Sequence, residues 1–294
     1  MLFPGCVERT VPTAEADIHL AVGGQGPPLL LLHGYPQTHV MWHRVAGDLA
    51  RNFTVIAADL RGYGDSAKPA TTPDHFSYSK RASARDMANV MTKLGFETFF
   101  IAGHDRGGRV GHRLALDFPE RVSKLAVLDI VPTAKVFGSV NQAIATGYYH
   151  WFFLIQPSDF PERLIGADPA YYLRWTLARW SGSGLDCFEP KALAAYLRWF
   201  EDPAAIHASC EDYRAGASID LAHDAADRGK MIACPVLALW GKKGLIHRHF
   251  DVLEAWRELA SNVQGLALDC GHFLPEEAPA ETARALSAFF RAGL

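Results

Sequence analysis

No Cys-x-x-Cys pair occurs in this chain. Its five cysteines, Cys6, Cys187, Cys210, Cys234 and Cys270, are odd in number and far apart. That argues against a disulfide framework and a thiolate zinc site, and for the reduced thiols of a cytoplasmic protein. Long apolar runs are also lacking. The longest, such as Pro28–Leu32, fall far short of the ~20 residues that cross a bilayer, so no membrane partner is expected. The first twenty residues lack the basic start and apolar core of a signal peptide. Charge is nearly balanced, with 29 Lys and Arg against 32 Asp and Glu, and no block of one sign. This disfavours a nucleic-acid binder or a polybasic surface protein. Low-complexity tracts are absent. The thirteen histidines are scattered, and His247 and His249, flanking Arg248, match no recognised ligand spacing and read as surface residues. No metal or cofactor is expected.

What is present is a large apolar fraction, 49% of 294 residues, and a regular alternation of short apolar runs with helical patterns. Ala16–Val22, Pro28–Leu32, Phe53–Ala58, Thr98–Ala102, Lys124–Ile130, Val236–Trp240 and Gln264–Leu268 read as strands. Val40–Ala50, Ser79–Leu94, Gly107–Phe118, Phe250–Leu259 and Glu277–Ala292 read as helices. Such alternation predicts an α/β fold with a mostly parallel sheet and helices on both faces. Residues 133–223 break the rhythm, with helical patterns, many aromatics and little that resembles a strand. Because strands resume afterwards, this stretch reads as an inserted helical cap. The expected division is a core of residues 1–132 and 224–294 and a cap of residues 133–223.

The chemistry concentrates at strand ends. Gly103-His104-Asp105-Arg106-Gly107 follows a strand and opens a helix, with the spacing of the G-x-S-x-G nucleophile elbow and Asp in the place of Ser. The glycines are required because the turn is too tight for side chains. Three features accompany it in the order expected of an α/β-hydrolase fold. His33-Gly34-Tyr35-Pro36 ends an earlier strand, where an oxyanion-hole N–H is supplied. Asp59–Ser66 forms the turn after the next strand. Gly271-His272-Phe273 follows the last strand, where the catalytic histidine belongs. The acid that orients His272 often follows a strand ending Trp-Gly-x-x-Asp. Here Trp240-Gly241-Lys242-Lys243-Gly244 has glycine at that place, so Asp129, at the neighbouring strand end, is the expected substitute. Asp269, in the histidine's own loop, is a weaker candidate.

An aspartate nucleophile changes the reaction. A carboxylate can displace a leaving group from an sp³ carbon, giving an ester whose carbonyl belongs to the enzyme. Water activated by His272 then attacks that carbonyl, and the oxyanion needs donors, expected from the N–H groups of Tyr35 and Arg106. Asp105 therefore points to dehalogenation or epoxide opening. Arg106 and Arg109, three residues apart near a helix N-terminus, are placed to clamp a substrate carboxylate.

At this point the chain resembles the fluoroacetate (haloacetate) dehalogenase family of α/β-hydrolases over nearly its whole length. The resemblance rests on HGYPQ at His33–Gln37, DLRGYGDSAKP at Asp59–Pro69, GHDRGGRVGHRLALDFP at Gly103–Pro119, LDIVPT at Leu128–Thr133, HWFFL at His150–Leu154, DYRAG at Asp212–Gly216 and GHF at Gly271–Phe273. It implies Asp105 as nucleophile, His272 as base and Asp129 as its acid partner. It implies Arg106 and Arg109 on the substrate carboxylate, and His150, Trp151 and Tyr213 on the halide. It also implies a homodimer acting on a small haloacid. Haloalkane dehalogenases and many epoxide hydrolases resemble the chain too, but carry Trp where Arg106 stands. That difference favours a carboxylate substrate. An epoxide hydrolase using the same Asp–His pair is the second expectation, with Tyr148, Tyr149, Tyr171, Tyr172 and Tyr213 as possible activating tyrosines. A receptor without turnover is the third.

Overall fold

The computed structural model describes residues 2–293. Eight strands form one sheet: β1 (Cys6–Pro12), β2 (Asp17–Gly23), β3 (Pro28–Leu32), β4 (Thr54–Ala58), β5 (Phe99–His104), β6 (Val122–Leu128), β7 (Val236–Gly241) and β8 (Val263–Leu268), in the order β1-β2-β4-β3-β5-β6-β7-β8. β1 pairs antiparallel with β2, and β2 antiparallel with β4. From β4 through β8 every pairing is parallel. The central strands are apolar without alternation, Leu29–Leu32 and Phe99–His104 being buried throughout, because helices cover both faces.

The expected strands are present with ends shifted by at most two residues, Pro28–Leu32 matching at both ends. β1 was not anticipated. Its burial alternates poorly, with only Val11 fully buried, because it is an edge strand paired on one side. Two helical expectations are corrected. The stretch from residue 277 to 292 is not one helix: Leu274–Glu277 and Pro279–Arg291 are separated at Ala278. The residue before a proline is driven out of the α region, and Ala278 has φ −136° and ψ 57°. Phe250 likewise is extended, between helices Leu245–His249 and Val252–Arg257, and Asp251 caps the second through the N–H of Glu254.

Between β6 and β7 the chain forms eight helices, from Thr133–Gly138 to Ile219–Ala226, and no strand. Four of them carry proline in their first turn, where its missing N–H costs nothing. This insertion lies over the C-terminal ends of the parallel strands. The expected boundary at residue 223 falls inside helix Ile219–Ala226. His247 and His249 are exposed, as read from the sequence.

Candidate active site

The turn from β5 into helix Arg106–Asp117 holds Asp105 at φ 44° and ψ −113°, a conformation L-residues avoid. Glycines make the turn possible. A Cβ on Gly103 would stand 2.4 Å from the carbonyl oxygen of Gly107, and one on Gly107 would stand 2.5 Å from that of His33. The helix can therefore cross close over the end of β3. That brings in the segment His33-Gly34-Tyr35, and the N–H of Tyr35 donates to Oδ2 of Asp105 at 3.1 Å. Gly34 is required too, since a Cβ there would lie 2.5 Å from the Cβ of Asp105.

Burial works to raise the Asp105 pKa, but the nearby charges of His272, Arg109 and Arg106 outweigh it and hold the carboxyl below its ordinary value. It is an anion at neutral pH.

Asp129 follows β6 at φ 52°. Oδ2 accepts from Nδ1 of His272 at 2.7 Å, and Oδ1 accepts from the N–H of Gly241 at 2.9 Å. A Cβ on Gly244 would lie 3.5 Å from Oδ2 of Asp129. The glycine at the usual acid position therefore faces the space that Asp129 fills from the neighbouring strand end. Asp269 takes no part, being exposed beside Lys243. Burial works to lower the His272 pKa. The hydrogen bond and charge of Asp129, with the charge of Asp105, overcome it and raise the imidazole above 6.5. Nε2 of His272 is buried with no hydrogen-bond partner among the described residues.

The structure adds positioning groups that the sequence reading missed. His104, beside Asp105, has Nε2 2.8 Å from the carbonyl oxygen of His272. Burial, chiefly, takes its pKa down to about 3, so it is neutral and donates that bond. Glu277 gathers the N–H groups of Gly182, Gly271 and Phe273 at 2.7, 2.8 and 3.0 Å. The N–H of His272 itself donates to the carbonyl of Trp180 in the insertion at 3.1 Å.

The two arginines expected on a substrate carboxylate differ in their protein partners. Arg106 is committed to Asp212: Nε donates to Oδ2 at 2.5 Å and Nη2 to the backbone carbonyl at 2.6 Å. Its guanidinium also lies 4.2 Å over the ring of Tyr213. Lys80 pairs with the same Asp212. Burial works to raise the Asp212 pKa, but these two cations bring it down to about 2. Arg109 has no carboxylate within ion-pair distance among the described residues. Nη1 donates to the carbonyl of Val131 at 3.1 Å and to Oγ1 of Thr133 at 2.8 Å, and the guanidinium lies 4.7 Å over Trp151. Its Nε is buried without a hydrogen-bond partner among the described residues.

His150, Trp151 and Tyr213 converge from helices Tyr149–Leu154 and Pro203–Ala217. Ring centroids of His150 and Trp151 lie 5.6 and 6.2 Å from that of Tyr213. The Tyr213 hydroxyl and Nδ1 of His150 are buried without partners among the described residues. Burial drives the His150 pKa well below 6.5, leaving a neutral ring, and the Tyr213 pKa well above 10, keeping its proton. Unpaired buried polar atoms cost free energy until something hydrogen-bonds to them. Asp105, His150, Trp151, Trp180 and His272 share the wall of one cavity of about 300 Å³.

Residues 27–279 match the model of the alpha/beta hydrolase fold family. The chain is 48% identical to a fluoroacetate dehalogenase from Burkholderia sp over 98% of its own length and 95% of that protein's. It is 37% identical to a soluble epoxide hydrolase from Corynebacterium sp. (strain C12), over 89% of each. A crystallised candidate α/β hydrolase from Nostoc sp PCC 7120 superposes with a TM-score of 0.97 at 59% identity, covering 99% of both chains. The chain belongs to the α/β-hydrolase superfamily and, within it, to the fluoroacetate (haloacetate) dehalogenase family.

Proposed function

We propose that this protein is a haloacetate dehalogenase, removing fluoride or chloride from a small 2-haloacid such as fluoroacetate to give glycolate. The observation that carries this reading is a buried anionic Asp105 beside Arg109, a buried guanidinium with no carboxylate within ion-pair distance among the described residues. A neutral haloalkane would leave that charge unmatched, whereas a haloacid carboxylate satisfies it and lessens its own repulsion from Asp105.

In the proposed mechanism Oδ1 of Asp105 attacks the halogen-bearing carbon from behind. The C–O bond forms as the C–X bond breaks, and the halide leaves with the electron pair toward His150, Trp151 and Tyr213. The Tyr213 O–H and the indole N–H of Trp151 are the donors that fluoride, a poor leaving group, needs as its charge develops. The enzyme now carries an ester. Nε2 of His272 takes a proton from water, and the hydroxide adds to Cγ of Asp105. The charge that develops on Oδ2 is met by the N–H of Tyr35 and, as expected from the elbow, that of Arg106. Collapse breaks the Cγ–Oδ1 bond, and the glycolate oxygen takes the proton from His272. The regenerated acid loses its remaining proton to solvent through His272.

Esterification also times the base. Asp105 helps to raise the His272 pKa, and that contribution disappears when its charge is lost to the ester. The imidazole becomes easier to deprotonate when a neutral base is needed.

The insertion over the strand ends serves as the cap in this reading. A homodimer is the assembly that the resemblance implies, and the cytoplasm is the compartment that the scattered free cysteines favour. Halide release from fluoroacetate and chloroacetate by the purified enzyme tests the proposal, with Asp105→Ala as control. Release that survives in the variant overturns it. Epoxide opening is the second reading. It is favoured by the 37% identical epoxide hydrolase and by Tyr148 and Tyr213 beside the nucleophile. Diol formation from styrene oxide without halide release from either haloacid would establish it instead.

A further inference from the structure

The cavity that reaches Asp105 has a second cationic group of residues, far from the nucleophile in sequence and on different elements. Arg179 is in the last turn of helix Pro169–Trp180, Lys243 in the turn after β7, and Arg248 on helix Leu245–His249. All three line the cavity, and all three are exposed. They lie on its solvent side, whereas Asp105 and Asp129 are buried at its floor. Among the described residues neither Arg179 nor Arg248 has a carboxylate within ion-pair distance, and Lys243 meets only Asp269, at 3.4 Å on the open surface.

These charges stand out against the rest of the molecule. The chain as a whole carries a formal charge of −3, so an anion gains nothing from the bulk field. Inside, Arg106 has been spent on Asp212, and Asp105 and Asp129 are both acids. An anion approaching the floor therefore meets negative groups offset mainly by Arg109 and His272. A positive mouth is what makes the approach favourable, since charges lining a low-dielectric cleft focus their field along it.

We propose that Arg179, Lys243 and Arg248 form an anion-gathering vestibule. It collects small carboxylates at the cavity mouth and hands them inward to Arg109, selecting anionic over neutral ligands before any chemistry occurs. The proposal rests on the haloacid reading for its substrate. None of the three residues is placed on the reacting atoms, so their contribution belongs to KM and to binding, and kcat at saturation is retained without them.

The test uses the full-length enzyme and its Arg179→Gln/Lys243→Gln/Arg248→Gln variant. Chloride release from chloroacetate is followed from low to high ionic strength, and glycolate binding is measured by calorimetry over the same range. Exposed charges are screened within about 10 Å at 0.1 M salt. KM and the glycolate Kd of the unmodified enzyme should therefore rise severalfold with salt. In the variant both should begin about tenfold higher and be nearly flat, within the 10- to 1000-fold span of such steering, while kcat stays within about twofold. Equal salt slopes in the two proteins overturn the vestibule, as does a kcat that falls with the charges. If no haloacetate is turned over, the functional reading fails on its own. The glycolate titration still decides the vestibule: a salt-dependent Kd that the variant flattens supports it, and indifference to salt or substitution overturns it.

Discussion

Nδ1 of His272 stands 2.7 Å from Oδ2 of Asp129, while the Cβ that Gly244 lacks would stand 3.5 Å from that same oxygen. Two strand ends can thus address one histidine, and this chain uses the one after β6. Asp129→Ala should slow hydrolysis by about 10³- to 10⁴-fold, the cost of losing the acid that orients such a base. Adding Gly244→Asp should recover at least about tenfold of that loss. Gly244 has extended backbone, φ −79° and ψ 171°, which any residue adopts. Steady-state chloride release from the single and double variants checks this, and a double variant no better than the single refutes the shared address.

Removing the base separates the two chemical halves. His272→Gln should still release one equivalent of halide per active site and then stop, with glycolate esterified to Asp105. Intact-protein mass spectrometry would show the added mass, and peptide analysis would locate it. In the unmodified enzyme a single turnover in ¹⁸O-water should label Asp105 and leave the glycolate unlabelled. Label in the first glycolate instead would mean that water attacks the substrate carbon directly.

The pH dependence has a definite sign. In the proposed mechanism neutral His272 is the working form, so ester hydrolysis should fall as pH drops through its pKa. In the free enzyme that pKa lies above 6.5, with Asp129 and Asp105 holding it up against burial. In the ester the Asp105 charge is gone. The acid limb of single-turnover ester hydrolysis should therefore lie at lower pH than the His272 titration followed by NMR in the free enzyme. Coincident values would remove the timing role given to Asp105.

Asp212→Ala strips Arg106 of its carboxylate partner, leaving that cation buried, while Lys80 keeps Asp220 at 3.4 Å. Breaking a buried pair in this way costs about 3–5 kcal/mol, and urea denaturation should show a loss of that order. Asp212→Asn keeps the shape and one acceptor, and should lose less. A stability loss below about 1 kcal/mol for Asp212→Ala would mean that the cluster is not a structural anchor.

The elbow, the Tyr35 loop and the GHF turn were legible because each joins glycine to a polar residue at a strand end, a local signal. Asp129 could be reached by elimination, once Gly244 was seen to lack a carboxylate. Asp212 was visible only as a letter in DYRAG. Its pairing with Arg106 spans 106 residues and depends on how the helices of the insertion pack, which no local periodicity encodes. The same holds for Glu277, whose three backbone partners come from both sides of the cavity. β1 escaped because an edge strand needs no apolar alternation.

The bonds that seat His272 have a consequence for motion. Its N–H is held by Trp180, and Glu277 joins the flanking Gly271 and Phe273 to Gly182, so roof and base share one set of hydrogen bonds. A displacement of Trp180–Gly182 would therefore disturb the seat of the imidazole as well, because one set of hydrogen bonds fixes both.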